Sequence, residues 1–547
     1  MKNMISKLLS ISKKTAGLLL LFLGTCQLTS CLEENPRDRL TEDEAFNSAE
    51  NLFINAVATL YNHIGGNSDS QGLQGTDRGV YDLQTFSSDE AMLPRRGGDW
   101  YDGGLWQSLY LHTWNAGCSA TNDTWFYLYK VIVLCNQSLE HLEKYRSLLT
   151  DKQYEALNAE VRALRAMYYC YLLDLYGRVP YITSTNIDFA EATQMERSDL
   201  FKAIYMELTD VLPKLSPTHS NLKGEYYGRI TQPVVSFLLA KMALNAEVWM
   251  DDNWTDNVRP DGKTLVLPDG MKAWEGCIYW CDMLSISYFY ELEKDYNTNF
   301  SVHNSKSVEN IFVIPTEPNT YTNEFNYLFR SRHYNHGAAL GMASENGTSA
   351  TVSTVKTYGY GTDYVDRRFN FNFYAGQVWV DGQLVTLDNG QPLYYDPLAV
   401  ELDLTGLPYE DTAGARMSKY EVDRTALSDG KLQDNDIVLF RYADVLLMKA
   451  EAKVRNGQDG SAELNKVRNR VDMEDRPATL DNILDERLME LAWEGWRRQD
   501  LIRFDRFHQA YDQRPQLASE VDRHTIVFPI PVRVVALNPN NRQNPGY

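Results

Sequence analysis

The chain has 547 residues, a net charge of −21 and a hydrophobic fraction of 44%. That apolar share belongs to a globular protein and excludes a disordered one, while the length allows one large domain or several ordinary ones. The first thirty residues carry four Lys and no acid, so the remainder stands at −25, which repels phosphate backbones and argues against nucleic acid as a partner.

The chain begins with an address. Lys2, Lys7, Lys13 and Lys14 form a positive n-region, and "AGLLLLFLG" (16–24) follows as an apolar stretch too short to span a bilayer. "LTSC" (28–31) then reads as a lipobox, in which small residues precede a Cys that is lipidated after cleavage. "LGTC", ending at Cys26, is the competing site, with a shorter apolar region and the less suitable Thr25 before the Cys. The expectation is a signal peptide over 1–30, a lipid on Cys31 and a polar linker over 31–40. The other five Cys contain no CxxC pair and read as core thiols, Cys277 and Cys281 included.

Thr41 with Glu44 predicts a capping box and a helix to about residue 63. Residues 65–120 are Gly-rich, polar and aromatic with little period, which reads as a long functional loop region. Apolar residues at steps of three and four then predict helix pairs near 121–176, 229–286 and 436–472, and a last long helix over about 480–510. Gly177 with Pro180 beyond ends the first pair. Between 290 and 435 the helical signal fades. "ENIFVIP" (309–315) and "GQVWVDGQLVTLDNGQPLYY" (376–395) read as short strands, the latter as a hairpin. Paired amphipathic helices with short turns are a tetratricopeptide-like pattern. The fold expected is mainly α, one body over 41–547 with loop-rich excursions at 65–120 and 290–435.

Five stretches carry a resemblance: "EVRALRAMYYCYLLDLYGRVPYI" (160–182), "RITQPVVSFLLAKMALNAEVW" (229–249), "DIVLFRYADVLLMKAEAKVRNG" (436–457), "LDERLMELAWEGWRRQDLIRF" (484–504) and "FPIPVRVVALNPNNRQNPGY" (528–547). In this order and behind a lipobox, they resemble the RagB/SusD family of Bacteroidetes outer-membrane lipoproteins, from Cys31 to Tyr547. The resemblance implies a SusD-like α-helical domain on tetratricopeptide-type helix pairs and a glycan-binding protein without catalysis. It also implies a SusC-like TonB-dependent transporter as partner. Glu33 and Glu34 after the lipobox resemble the signal that sends such lipoproteins to the cell surface.

The chemistry concentrates in "DEAMLPRRGGDWYDGGLW" (89–106). Arg95, Arg96, Asp99, Trp100, Tyr101 and Asp102 offer stacking planes, donors and acceptors, and four Gly let the backbone turn sharply. Trp100 is the expected platform for a sugar ring, whereas Trp106, Tyr110 and Trp114 have the helical spacing of packing residues. Tyr327 and Tyr334, with Tyr321 and Phe325, are expected on an opposite wall. Thr348 stands where some starch binders of the family carry a Trp. The Arg pair leaves room for an acidic sugar, since guanidinium pairs carboxylate bidentately. Asp434 and Asp436 are hard oxygen ligands that could hold a structural calcium, with helix capping as the plain alternative. Glu490 and Glu494 could suggest acid–base catalysis, but beside Arg487, Arg497 and Arg498 they read as ion pairs. No GxSxG, HExxH or Walker A stretch is present, and "HYNH" (333–336) has no placed third metal ligand. The alternatives to glycan capture are a peptide-binding scaffold and a helical-barrel glycoside hydrolase.

Overall fold

A computed structural model describes residues 41–66, 72–74, 78–187, 190–317, 330–426 and 433–547. The expected signal peptide over 1–30, Cys31, the expected linker to residue 40 and the aromatics Tyr321, Phe325 and Tyr327 lie outside the described residues. The chain divides into two compact units, one ending at Asn47 and one spanning Ser48–Tyr547. In the first, Thr41 and Glu44 form the expected capping box on the short helix Glu42–Ala45. The predicted helix to about 63 is interrupted there. A new helix starts at Ala49 behind the Ser48 cap, passes through a π-helical stretch at Phe53–Ala58, and ends at Gly65.

The second unit is mainly α. Ser119–Lys144 and Asp151–Tyr176 form an antiparallel pair, the second capped by Thr150 with Gln153 and closed by Gly177 at φ 70°. Arg197–Val211, which the sequence reading missed, packs against Asp151–Tyr176. Gln232–Leu244 is the central helix: all of Pro233–Leu244 is buried. A helix apolar on every side needs cover on every side. Arg197–Val211, Ala273–Asp282 and Tyr442–Arg455 supply it, and Ser461–Arg470 and Leu480–Leu491 pack on Tyr442–Arg455. These pairs give the expected tetratricopeptide-type scaffold. Of the five cysteines read as core thiols, Cys135, Cys170, Cys277 and Cys281 are buried and free of disulfides, whereas Cys118 is only partly buried at the start of Ser119–Lys144.

Two expected helices are corrected. The run 436–456 opens as a strand, Ile437–Arg441, paired antiparallel with Asn310–Ile314 and buried throughout; its helix starts only at Tyr442. The run 480–510 breaks between Leu491 and Arg497, where Trp493 takes φ 69° and Gly495 φ 73°. Tertiary bonds stabilise that break. The Trp493 N–H donates to the Glu90 carboxylate at 2.8 Å, and Lys419 Nζ donates to the carbonyls of Glu490 and Ala492. The run 376–395, read as one hairpin, makes two turns. Trp379–Val380 pairs with Gln383–Leu384 across Asp381 at φ 49° and Gly382 at φ 75°, the left-handed pair that a two-residue turn requires, and a second turn at Gly390 brings Tyr394–Tyr395 back to Gly376–Gln377.

Under the break lies a dense ionic core. Arg441 reaches Glu309 at 2.8 Å, Glu490 at 2.6 Å and Glu494 at 2.8 Å. Arg470, Arg368 and Lys419 complete the cage around these carboxylates. Burial alone would raise the Glu490 carboxyl, but Arg470, Arg441 and Arg368 outweigh it and hold it well below the usual range. Glu490 and Glu494 are therefore in structural ion pairs, as expected, but with Arg441, Arg470, Arg368 and Lys419; Arg487, Arg497 and Arg498 pair instead with Asp444, Asp89 and Asp174.

Candidate functional site

The strand Ala91–Met92 pairs with Ser349–Ala350 and delivers the chain into the loop that carries Arg95 to Asp102. Glu90, at its root, is buried. Burial pushes its carboxyl up to about 7 against the opposing Trp493 N–H, Lys419 and Arg497. Between about pH 4.5 and 7 the folded chain thus keeps a proton that the unfolded chain has lost. Stability falls as pH rises through that window and is flat above it. Glu90→Gln removes the slope while its amide oxygen still accepts the Trp493 N–H. The stability of the variant relative to the parent is expected to increase by on the order of 3 kcal/mol between pH 4 and pH 8, read from urea midpoints at each pH.

Trp100 is half-buried and adopts φ 59°. Its indole N–H donates to the Glu345 carbonyl at 3.1 Å. Gly347 lies against the ring so closely that a Cβ there would come within 2.9 Å of Trp100 Cε2. Trp106 meets the indole edge-on at 6.3 Å between centroids. Trp106 itself is buried, as are Tyr110 and Trp114, so these three belong to the body. Tyr334 starts the helix Tyr334–Leu340, and its hydroxyl donates to the Asp99 carboxylate at 3.2 Å. Tyr101 is 49% exposed and Tyr334 48% exposed. Arg95 lies over the Tyr101 ring at 4.9 Å, donates to the Gly97 carbonyl at 3.0 Å, and pairs with Asp403 at 3.5 Å. The structure therefore gathers Arg95, Asp99, Trp100, Tyr101 and Tyr334 on one half-wet platform.

Two expected members turn elsewhere. Arg96 is buried and donates to the carbonyls of Glu410 and Ala413 and to Ser349 Oγ, so it ties three loops together instead of facing a ligand. Asp102 accepts from Trp106 Nε1 at 2.6 Å and pairs with Arg78 at 3.2 Å. Thr348 is also a framework residue: it is buried and accepts from Arg330, whose guanidinium is bidentate to Asp82. Gly347 and the Glu345 carbonyl were missed in sequence. The Asn-Gly pair inside "MASENGTSATV" was the available signal, since glycine permits close approach.

The other candidates fall to structural roles. Asp436 is buried and accepts from the Tyr227 hydroxyl and the Thr316 N–H, with burial pushing its carboxyl up to about 6. Asp434 pairs with His303 at 2.7 Å. The two carboxylates are engaged by different protein partners. Among the described residues no group of three or more His, Cys, Asp or Glu is placed to hold a metal ion. His333 and His336 are buried beside the hairpin. Burial and Arg416 press His333 down to about 4, and burial and Arg332 press His336 down to about 3.

Residues 365–547 match the family described as "SusD family", and residues 73–213 match one described as "Starch-binding associating with outer membrane". The starch-binding protein SusD of Bacteroides thetaiotaomicron is 23% identical, over 95% of this chain and 96% of that protein. Surface glycan-binding protein A of the same species, solved in complex with laminarihexaose, superposes with a TM-score of 0.68 at 19% identity over 91% of this chain and all of the other. A SusD-like protein of Bacteroides fragilis superposes with a TM-score of 0.70 at 18% identity over 93% of this chain and 99% of that one. With both matched segments in place, the SusD relative aligned nearly end to end and the fold shared, the chain is similar to proteins of the RagB/SusD family.

Proposed function

We propose that this protein is a surface-exposed outer-membrane lipoprotein that binds an oligosaccharide or polysaccharide and delivers it to a SusC-like TonB-dependent transporter. The observation that carries the reading is the Trp100 platform. It is an indole seated on Gly347 and pinned by the Glu345 carbonyl, half-open to solvent, with Tyr334, Tyr101 and Asp99 around it. Sugar rings lay C–H faces on aromatic faces and need donors and acceptors at the rim for their hydroxyls. The relatives support it: one is named for binding starch, and another was solved with laminarihexaose. In this reading 1–30 is cleaved, Cys31 carries the lipid, 31–40 is a tether and 41–547 is the binding body. The protein performs no chemistry on the glycan; the paired carboxylates that could have suggested it are locked in the ionic core.

The test is affinity electrophoresis of the full chain through gels containing single polysaccharides, with co-purification of a transporter barrel from the native outer membrane. Retention by at least one glycan and recovery of a barrel are expected. Retention by none, with or without the barrel, sinks the proposal.

The seat of the indole gives a sharper check. Gly347→Ala places a methyl group against Trp100 and Leu93. Overpacking of this kind costs about 1–3 kcal/mol. Because the ring can swing outward, the expected result is a roughly tenfold or greater loss of glycan affinity with an unchanged circular dichroism spectrum.

A further inference from the structure

Resting on the reading of Trp100 as the glycan platform, we infer that the site is built for uncharged glycans and rejects anionic ones, with Asp99 as the selecting residue. The sequence alone pointed the other way, because two adjacent Arg suit a carboxylate or sulfate. The structure buries one and pairs the other on the platform's edge. Arg96 is buried under backbone carbonyls, and Arg95 is held by Asp403, the Gly97 carbonyl and the Tyr101 ring. The neighbouring guanidiniums are committed too. Arg78 pairs with Asp102, Arg330 is bidentate to Asp82, and Arg416 is buried on the carbonyls of Ser331 and Asp411.

The carboxylates are disposed differently. Asp99 is exposed beside Trp100, and its partner among the described residues is the Tyr334 hydroxyl, a neutral donor. Burial and the negative field of Asp99, with smaller contributions from Glu345 and Asp411, raise the Tyr334 hydroxyl above its ordinary range. Among the described residues, a ligand on this platform therefore meets the exposed Asp99 carboxylate beside an Arg95 already paired with Asp403. A hydroxyl-rich neutral sugar can donate to Asp99, whereas a uronate or sulfate ester brings like charge to it. Like charges a few ångströms apart at a protein surface cost enough to weaken binding roughly tenfold or more.

The experiment compares retention of the full chain in gels containing neutral polysaccharides (starch, laminarin, galactomannan) and anionic ones (polygalacturonate, alginate, chondroitin sulfate), at low and at high NaCl. The expected result is retention by a neutral glycan that changes little with salt, and anionic retention at least tenfold weaker at low salt. Asp99→Asn should raise the ratio of anionic to neutral retention. An anionic glycan held more tightly than every neutral one, and released by Trp100→Ala, would overturn the selectivity while leaving the platform intact. A neutral glycan retained equally by the parent and by Trp100→Ala overturns the location of the site, and the inference with it.

Discussion

Arg441→Met is expected to lower the unfolding free energy by about 3–5 kcal/mol, the cost of leaving buried carboxylates without their cation. Three facts set that size. Arg441 is buried, and it touches Glu309, Glu490 and Glu494 at once. Its Nη2 also donates to the Glu490 carbonyl at 2.6 Å, next to the break that turns the chain at Trp493. Arg470, Arg368 and Lys419 remain after the substitution, but each already has its own carboxylate bonds. Methionine fills similar volume without charge, so the loss reports electrostatics and hydrogen bonding more than a cavity. Urea unfolding followed by circular dichroism measures it. A loss under about 1 kcal/mol would mean that the network relaxes around the gap.

Trp100→Ala is the second large effect, and it falls on binding. Truncating a central aromatic anchor costs about 2–4 kcal/mol, equivalent to a thirtyfold to thousandfold loss of affinity. Titration calorimetry against a retained glycan reads the number. The scaffold should barely respond, since the ring is half-buried and its hydrogen bond goes to the Glu345 carbonyl in a loop. Loss of glycan binding with transporter co-purification preserved is the expected pattern. Undiminished affinity would place the ligand elsewhere on the molecule.

The helix pairs are legible in sequence because apolar residues at steps of three and four, a Thr cap and a Gly stop all agree on one reading. Ile437–Arg441 is not. A short apolar run has no period that separates a strand from a buried helix, and its partner strand lies more than a hundred residues earlier. The break at Trp493 is hidden for a related reason: the groups that satisfy its backbone come from Glu90 and Lys419. At the site, Trp100 stands out because glycines surround a large aromatic that no period explains. Arg96 misleads because nothing local distinguishes an arginine aimed at solvent from one aimed at carbonyls 314 and 317 positions away.

That reach of Arg96 also bears on when the site comes into being. The helical pair Ser119–Lys144 and Asp151–Tyr176 closes over a short turn, so it can form early in folding. The platform needs Arg96 to meet Ser349 and Ala413, and Trp100 to meet Glu345, contacts spanning 245 to 317 residues. Closing loops that long is slow, and their benefit arrives only when the last segment is in place. During refolding, helical dichroism therefore returns before glycan capture does. A chain cut before residue 403 keeps early helices but has no platform to offer.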